Sequence, residues 1–500
     1  MIAAGSPVQR IGCNQTSHYA LVRALADGTA RIDPWQAETC DKSYFDGHFY
    51  SNKAPGLAFV ALPPYLVLDA LGAVPESPRT AIWALGLCST LLAGAGLLLL
   101  MRRSAERVAP GTGTAAAIVL ALGTLLLPFS TMLFAHILTG LLLFAAFLLA
   151  WQSRDSRSDR RLALAGLLAG LAVVVEYPYG LISAVIGVYV LTGPSRVRSG
   201  LLYAGGAVAG VIPLAAFNAA AFGSVTHLSY QNGVLAAGQS GHDVVLESQV
   251  RNGTVFGVGP PTLEGLADLL ASGRGLLVAT PVVAVALAAL PLLWRRGHRA
   301  ESALVGAVLL VALLWNSGLD FGLGNLLGGD VPGPRYLVPV LPFLALPLAC
   351  ALRTLPRTTG LLAAISVITM VAATLTEPLL GTDETRVWFE RAHDGELTRT
   401  VLSLAGLGSG WAAALPAIAA IAAMAALAAG AVSWRRGTDA WWQALAAAGV
   451  WALLATVLPE LTYEEAGASV TTQAALAVGA SLLAVGLLAF AALRQRPAAP

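Results

Sequence analysis

The stretch "TGLLLFAAFLLAWQSRDSRSDRRLALAGLLAGLAVVVE", residues 139–176, sets two apolar runs on either side of a short loop rich in arginine. Each run approaches the length at which a helix crosses the hydrocarbon core of a bilayer, about 20 residues. The chain repeats this pattern, with 56% hydrophobic and 12% charged residues and a mean hydropathy of +0.71. Soluble domains carry about 25% charged residues. The sequence therefore predicts an all-α integral membrane protein, a polytopic helical bundle.

The apolar segments predict about thirteen transmembrane spans, some so short that they depend on their neighbours. Loops rich in arginine follow every odd-numbered span, from the first to the thirteenth. Because short loops rich in Lys and Arg stay on the cytoplasmic side, these loops and the C-terminus are predicted to lie inside. The spans are 81–101, 113–133, 135–151, 162–178, 180–193, 199–221, 275–293, 302–317, 335–352, 359–376, 411–433, 440–458 and 470–492.

The long polar segments then face outward, at 6–80, 222–273, 318–334 and 377–410. Three parts are predicted: a first outer loop with juxtamembrane helices (1–80), a transmembrane core (81–376), and an outer loop with C-terminal helices (377–500). Since only "MIAAG" precedes the first outer loop, we expect a leading transmembrane helix to be missing from this chain. Cys13 and Cys40 predict a disulfide if that loop faces an oxidising compartment.

Two helices are predicted within the first outer loop. The sequence "HYALVRALADG", residues 18–28, places apolar side chains on one helical face and ends at an Asp-Gly pair. The apolar stretch 54–74 is broken at Pro63 and Pro64, so we expect it to lie in the membrane interface rather than to cross the bilayer. Between the two helices lies the polar stretch "YFDGHFYSNKAPG", and the only two lysines of the chain, Lys42 and Lys53, occur in or beside it.

The order of these motifs resembles a family. The sequences "NQTSHYALVRALADGTARIDP" (14–34) and "YFDGHFYSNKAPGLAFVALP" (44–63) are followed by similar stretches at 134–150, 166–178 and 333–349. Together they resemble GT-C-type membrane glycosyltransferases of the bacterial protein-mannosyltransferase and aminoarabinose-transferase branch, over roughly the first 350 residues. The resemblance implies an enzyme that transfers a sugar from a polyprenyl-phosphate carrier to an acceptor hydroxyl of a glycan, lipid or protein, at the outer face of the plasma (inner) membrane.

The resemblance also implies roles for single residues. Lys53 holds the position of the family's lysine and is assigned to the donor phosphate, because a cation stabilises the leaving phosphate; the alternative is a lysine that snorkels at a helix start. Arg335, in "GPRYLVP", is assigned to the same phosphate. Lys42 is interpreted as a solvated loop charge. The remaining candidates for binding sugar or acceptor are Asn14, Gln15, His48, Tyr50 and Tyr19.

The chain departs from the family where relatives carry acidic pairs. Asn14-Gln15 replaces the first pair, and an amide can position a hydroxyl but cannot take its proton. His136, in "FAH", replaces the second. The catalytic carboxylate must therefore come from elsewhere, or the activity is altered or lost. The candidates are Asp33, Glu38, Asp41, Asp46 and Glu176.

Two of these carboxylates have competing interpretations. Asp46 belongs to an Asp-Gly pair that is also typical of a hairpin turn. Glu176 lies at the outer end of an apolar span, where an ionisable group needs a partner or an aqueous cavity. His136 is predicted to be that partner, and the pair serves either as general base or as a buried structural contact.

Two rival functions remain open at this stage. A transporter or flippase for lipid-linked sugars would show internal repeats and charges near the middle of the membrane, and the sequence gives no convincing repeat. A non-catalytic relative that binds lipid-linked sugars is compatible with Asn14-Gln15. No cofactor is assigned, a divalent metal is left open, and the net charge of +2 gives no reason to expect a nucleic-acid partner.

Overall fold

The structure is a computed structural model. It describes residues 6–156, 158–234, 259–319, 327–380, 385–432, 434, 438–462 and 470–495. The chain divides into two compact units. The N-terminal unit contains residues 8–94 and the described residues from 129 to 234. The C-terminal unit contains residues 6–7, residues 95–128 and the described residues after 258. The predicted division at residues 80 and 376 stays a prediction.

Helices account for most of the described residues. The first half of the chain forms α1 (Cys13–Ala26), α2 (Gly56–Ala70), α3 (Pro78–Gly86), α4 (Leu92–Val108), α5 (Gly113–Gly123), α6 (Leu126–Ser130), α7 (His136–Ser156), α8 (Asp159–Val175), α9 (Gly180–Leu191) and α10 (Arg196–Phe222). A π-helical turn, Leu87–Leu91, connects α3 to α4, and short 3₁₀ helices cover Asp33–Glu38, Tyr177–Tyr179 and Ser229–Asn232.

The second half is also helical. It forms α11 (Leu263–Ala271), α12 (Leu276–Ala279), α13 (Val282–Ala288), α14 (Leu290–Arg295), α15 (Arg299–Ser317), a 3₁₀ helix (Arg335–Leu344), α16 (Ala345–Thr354), α17 (Pro356–Leu375), α18 (Arg386–His393), α19 (Val401–Leu404), α20 (Gly410–Ala431), α21 (Trp441–Thr462) and α22 (Val470–Arg494). The prediction of an all-helical, multi-pass membrane protein is confirmed.

The predicted count of thirteen spans stays a prediction. Within the described residues, nine helices are long and apolar enough to cross a membrane, and a tenth span is formed if the two arms Leu263–Ala279 and Val282–Arg295, bent by 99°, count as one. The other three predicted spans form the shorter helices α5, α8 and α9. Helix α8 stops before Glu176 and α5 stops before Thr124, and both of these residues are in the extended conformation.

A small sheet interrupts the helical N-terminal unit, and the sequence analysis did not anticipate it. Its three strands are β2 (Lys42–Phe45), β3 (His48–Ser51) and β4 (Gly233–Val234). Two further short strands, β1 (Pro7–Val8) and β5 (Arg399–Thr400), lie outside this sheet. Strand β2 lies between β3 and β4 and pairs antiparallel with both. The pairing of Phe45 with His48 leaves a two-residue turn at Asp46-Gly47, which confirms the predicted hairpin turn.

The two helices of the first outer loop differ from expectation in detail. Helix α1 ends at Asp27-Gly28 as predicted, but its second to fourth turns are buried nearly all round rather than along one face. Helix α2 continues through Pro63 and Pro64 without a break. A proline near the middle of a helix removes one intrahelical hydrogen bond, and here the loss is tolerated without ending the helix. Whether α2 lies in the membrane interface stays a prediction.

Glycines let α8 and α10 pack backbone to backbone. A Cβ added at Gly206 would lie 2.0 Å from the Ala163 carbonyl oxygen, and one added at Gly170 would lie 2.2 Å from the Ala207 carbonyl oxygen. Such small residues allow close approach of membrane helices. The neighbouring Gly205 faces open space, because a Cβ there would meet no atom within 4 Å.

In the C-terminal unit, a buried carboxylate joins two helices. The Asp439 side chain is fully buried before α21 and accepts a hydrogen bond of 2.7 Å from the Thr358 amide in the first turn of α17. The Arg357 guanidinium lies 3.6 Å from the same carboxylate. Because an acceptor at a helix N-terminus satisfies otherwise unpaired amides, Asp439 fixes the start of α17.

Candidate active site

Lys53 is buried at the junction between the small sheet and α2. It follows β3, and its amide donates a hydrogen bond of 3.1 Å to the Ser51 hydroxyl. Only 7% of its side chain is exposed, and its Nζ lies 2.8 Å from a carboxylate oxygen of Asp41 and 5.7 Å from the centre of the Tyr230 ring. An ammonium taken out of water needs an anionic partner, and Asp41 supplies it.

The other lysine has a different task, and its interpretation as a solvated loop charge is wrong. Lys42 is fully buried on β2. Its Nζ donates to the backbone oxygen and to the side-chain oxygen of Gln36, at 3.0 and 2.6 Å, and lies 4.9 Å from the centre of the Phe49 ring. Lys42 thus ties the 3₁₀ helix to the sheet, whereas Lys53 faces a carboxylate.

The backbone of Asp41 is fixed by its neighbours. A disulfide joins Cys13 and Cys40, with the two Cα atoms 5.2 Å apart, which confirms the predicted bond. The Asp41 carbonyl accepts a hydrogen bond of 2.5 Å from the Ser17 hydroxyl, and the Asp41 amide donates one of 3.1 Å to the Thr39 hydroxyl. These contacts anchor the main chain beside α1, while 28% of the Asp41 side chain stays exposed.

His136 and Glu176 are in contact, as predicted. His136 opens α7, and Glu176 follows α8 in an extended conformation. The Nδ1 atom of His136 lies 2.7 Å from one oxygen of Glu176, and the other oxygen accepts a hydrogen bond of 3.2 Å from the Thr139 hydroxyl. The side chains are 2% and 14% exposed. The assignment of this pair as a general base stays a prediction.

His18 is a buried histidine of the N-terminal unit that the sequence analysis did not single out. Its ring lies within α1 and is 2% exposed, and its Nδ1 has no hydrogen-bond partner among the described residues. Burial, and after it the charge of Lys53, lowers the pKa of His18 to about 3, so the imidazole is neutral at physiological pH. The charge of Asp41 acts in the opposite direction and raises this pKa, whereas that of His136 lowers it further.

In the sequence, the only feature that could have drawn attention to His18 is its position. It is a polar residue one place before Tyr19, in the buried turns of a helix whose other polar residues, Gln15 to Ser17, are buried as well. A buried histidine in an apolar helix is more often structural than functional, because its hydrogen bonds are commonly satisfied within the fold. The missing partner at Nδ1 is the feature that separates His18 from that case, and the sequence does not contain it.

Asp33 and His48 form a second, more exposed pair. The Nδ1 atom of His48 lies 2.9 Å from one oxygen of Asp33, and the other oxygen accepts a hydrogen bond of 2.7 Å from the Phe49 amide. The two side chains are 39% and 37% exposed respectively. Asp46 occupies the hairpin turn with φ of 48° and is exposed. The roles of these residues in catalysis or binding stay predictions.

The remaining candidates of the N-terminal unit are held by local contacts. The Gln15 side chain accepts a hydrogen bond of 2.8 Å from the Gly12 amide and so caps the start of α1. The side-chain oxygen of Asn14 is buried, without a partner among the described residues. Tyr19 packs beneath the Arg23 guanidinium, 4.2 Å from its ring centre, and Tyr50 is buried. Their assignment to sugar or acceptor stays a prediction.

Arg335 belongs to the C-terminal unit. Its guanidinium donates a hydrogen bond of 2.7 Å to the Tyr336 hydroxyl, and its amide donates to the Leu327 carbonyl at 3.3 Å. The glycines at 328 and 329 have positive φ and let the chain turn over the arginine, since a Cβ at Gly328 would lie 2.6 Å from its Nε. The assignment of Arg335 to a phosphate stays a prediction.

The described residues give no basis for assigning a metal. Nowhere in the ranges given above do three or more His, Cys, Asp or Glu side chains come together in an arrangement that could hold an ion. In the N-terminal unit, the ionisable groups instead form contacts of acid with base, Asp41 with Lys53 and Glu176 with His136. Paired acids and bases of this kind can hold an anion and transfer a proton.

The fold and the two acid–base pairs, Asp41 with Lys53 and Glu176 with His136, define a multi-pass helical membrane protein with acids and bases in its interior. No family model matches the chain, and no curated protein matches its sequence. In structure the chain is similar to arabinosyltransferase EmbB from Mycobacterium smegmatis, with a TM-score of 0.44 and 14% sequence identity. The similarity covers 98% of this chain and 40% of the other, so the chain spans less than half of that protein's length.

Proposed function

We propose that the protein is a glycosyltransferase that moves a sugar from a polyprenyl-phosphate carrier to an acceptor hydroxyl, at the outer face of the plasma membrane. The observation that supports this most is the buried Lys53 ammonium, 2.8 Å from Asp41 and three residues before the apolar helix α2. A lipid-linked donor combines a long apolar chain with one charged phosphate. Its site therefore needs a cation next to an apolar element, in surroundings where charge interactions are strong.

Lys53 would hold the phosphate oxygens and stabilise the charge that develops on them as the glycosidic bond breaks. Arg335, which belongs to the C-terminal unit, is proposed separately as a phosphate ligand, since a guanidinium can bind phosphate through two parallel hydrogen bonds. Asn14, Gln15 and His48 would orient sugar or acceptor, with Tyr19 and Tyr50 packing around them. The proton of the acceptor hydroxyl would pass to a carboxylate of the cluster, either Asp41 or Glu176 through His136.

The test is the consumption of a lipid-linked sugar in the absence of nucleotide sugars. Purified protein in lipid nanodiscs is incubated with polyprenyl-phosphate-linked pentoses and hexoses and with a membrane glycan extract, and released polyprenyl phosphate is quantified by mass spectrometry. We expect release for at least one donor, full release in Arg31→Met, and none in Lys53→Met. Arg31 is an exposed cation of the same segment, so both variants lose one positive charge.

Two outcomes would contradict the proposal. Release that is unchanged in Lys53→Met would remove the donor site from this lysine. Movement of intact lipid-linked sugar between leaflets of proteoliposomes, with no donor consumed, would identify a transporter instead.

A further inference from the structure

The cation assigned to the donor phosphate already has an anion beside it. Asp41 lies 2.8 Å from the Nζ of Lys53, at the place where a phosphate oxygen would have to bind. The two partners differ in burial, because 7% of the Lys53 side chain is exposed and 28% of the Asp41 side chain. Asp41 can therefore rotate toward water at little cost in desolvation. Lys53 stays buried, so it needs another anion once Asp41 has moved away.

The charges around Lys53 disfavour the binding of two anions to this one lysine. His18, which is neutral, supplies no compensating positive charge. Glu176 already contacts His136 and Thr139. Because like charges repel more strongly in a site that excludes water than in bulk solvent, a phosphate that binds Lys53 weakens the hold of Lys53 on Asp41.

The backbone geometry lets the Asp41 side chain move alone. The disulfide at Cys40 and the hydrogen bond from Ser17 to the Asp41 carbonyl fix the main chain on both sides of the Cα. Rotation about the side-chain bonds is then the simplest displacement, and it leaves the position of Lys53 unchanged. A carboxylate that has lost its cationic partner also holds a proton more strongly, which makes it a better proton acceptor.

We infer that the donor phosphate displaces Asp41 from Lys53 and that the displaced carboxylate is the base of the reaction. This inference rests on the proposed function. The acceptor oxygen forms a bond to the anomeric carbon, and the bond from that carbon to the phosphate oxygen breaks. The phosphate leaves with the electron pair and stays on Lys53, and the acceptor proton passes to Asp41. Asp41 leaves Lys53 only when a donor is bound, so the donor activates its own reaction.

The test is the binding of short-chain polyprenyl phosphate to Asp41→Asn, measured by native mass spectrometry. Asparagine has the shape of aspartate but no charge, so the phosphate no longer competes with an anion for Lys53. We expect retention to increase about tenfold, equivalent to roughly 1.4 kcal/mol, while sugar transfer is lost because an amide accepts no proton. Asp69→Asn, which removes an exposed carboxylate at the end of α2, should match wild type in both measurements.

The outcomes separate the inference from the proposed function. Weaker or equal retention in Asp41→Asn, with retention in wild type and its loss in Lys53→Met, overturns the competition and leaves the donor site standing. Wild-type transfer by Asp41→Asn overturns its role as base. No retention in either wild type or Asp41→Asn overturns the proposed function together with the inference. Asp41→Ser serves as a second variant, with the same signs expected, and the unfolding temperature of each variant is measured alongside.

Discussion

The protonation of His18 gives the sharpest prediction about stability. In the folded protein, burial and the neighbouring Lys53 lower its pKa from 6.5 to about 3. In the unfolded chain the imidazole takes up a proton near pH 6.5. The folded state is therefore favoured above pH 6.5, and this contribution is lost as the pH falls from 6.5 toward 3, because only the unfolded state gains the proton.

The size of the effect follows from that window. At pH 5 the unfolded imidazole is almost fully protonated, which lowers the free energy of unfolding by about 2 kcal/mol relative to pH 8. His18→Gln removes the titrating group, so its loss of stability between pH 8 and pH 5 should be smaller than that of wild type by this amount. The assay is the apparent unfolding temperature in detergent, where the difference amounts to a few degrees.

The comparison is between wild type and His18→Gln, each measured at pH 8 and at pH 5 in the same detergent. An identical loss in wild type and His18→Gln would refute the reasoning, since it would mean that His18 takes up its proton equally in the folded and unfolded states.

Three further predictions concern the scaffold. Gly206→Ala should lower stability by more than about 2 kcal/mol in detergent unfolding, because its Cβ would lie 2.0 Å from a carbonyl oxygen of α8, whereas Gly205→Ala should be neutral; equal effects would contradict the helix packing. Asp439→Ala should cost about 2 to 3 kcal/mol through loss of the α17 cap and of the contact with the guanidinium, and Asp439→Asn should cost less; a neutral alanine variant would refute this role. The disulfide joins Cys13 and Cys40, which are 27 positions apart in the sequence. Its reduction should lower the free energy of unfolding by about 3 kcal/mol, and a variant with both Cys13→Ser and Cys40→Ser should no longer respond to reductant.

The sequence predicts the helices of the membrane-spanning part well, because apolar length is a local property. Each of the thirteen predicted segments contains a helix, and the Asp46-Gly47 turn lies where its residue types favour it. What length alone does not decide is whether a short helix such as α9 crosses the membrane, since that depends on packing against its neighbours. The exact span count therefore did not follow from the sequence.

The site was predictable only where a residue type is itself unusual. A glutamate at the end of an apolar span demands a partner, and the contact of Glu176 with His136 follows from that demand. Lys42 carries the same charge as Lys53 and lies eleven places earlier, yet its burial depends on the three-dimensional position of Gln36. His18 stands out only because its buried Nδ1 has no hydrogen-bond partner among the described residues. The burial of Lys42 and the missing partner of His18 are both tertiary properties, and neither has a pattern along the chain.

The measurement that tests the central claim most directly is the retention of short-chain polyprenyl phosphate by native mass spectrometry, in wild type, Lys53→Met and Arg31→Met. We expect retention by wild type and by Arg31→Met, and its loss in Lys53→Met, because the buried Lys53 ammonium beside the apolar helix α2 is the phosphate ligand. Equal retention by all three proteins would contradict it, and Lys53 would then be an internal ion pair that only fixes Asp41 beside α1.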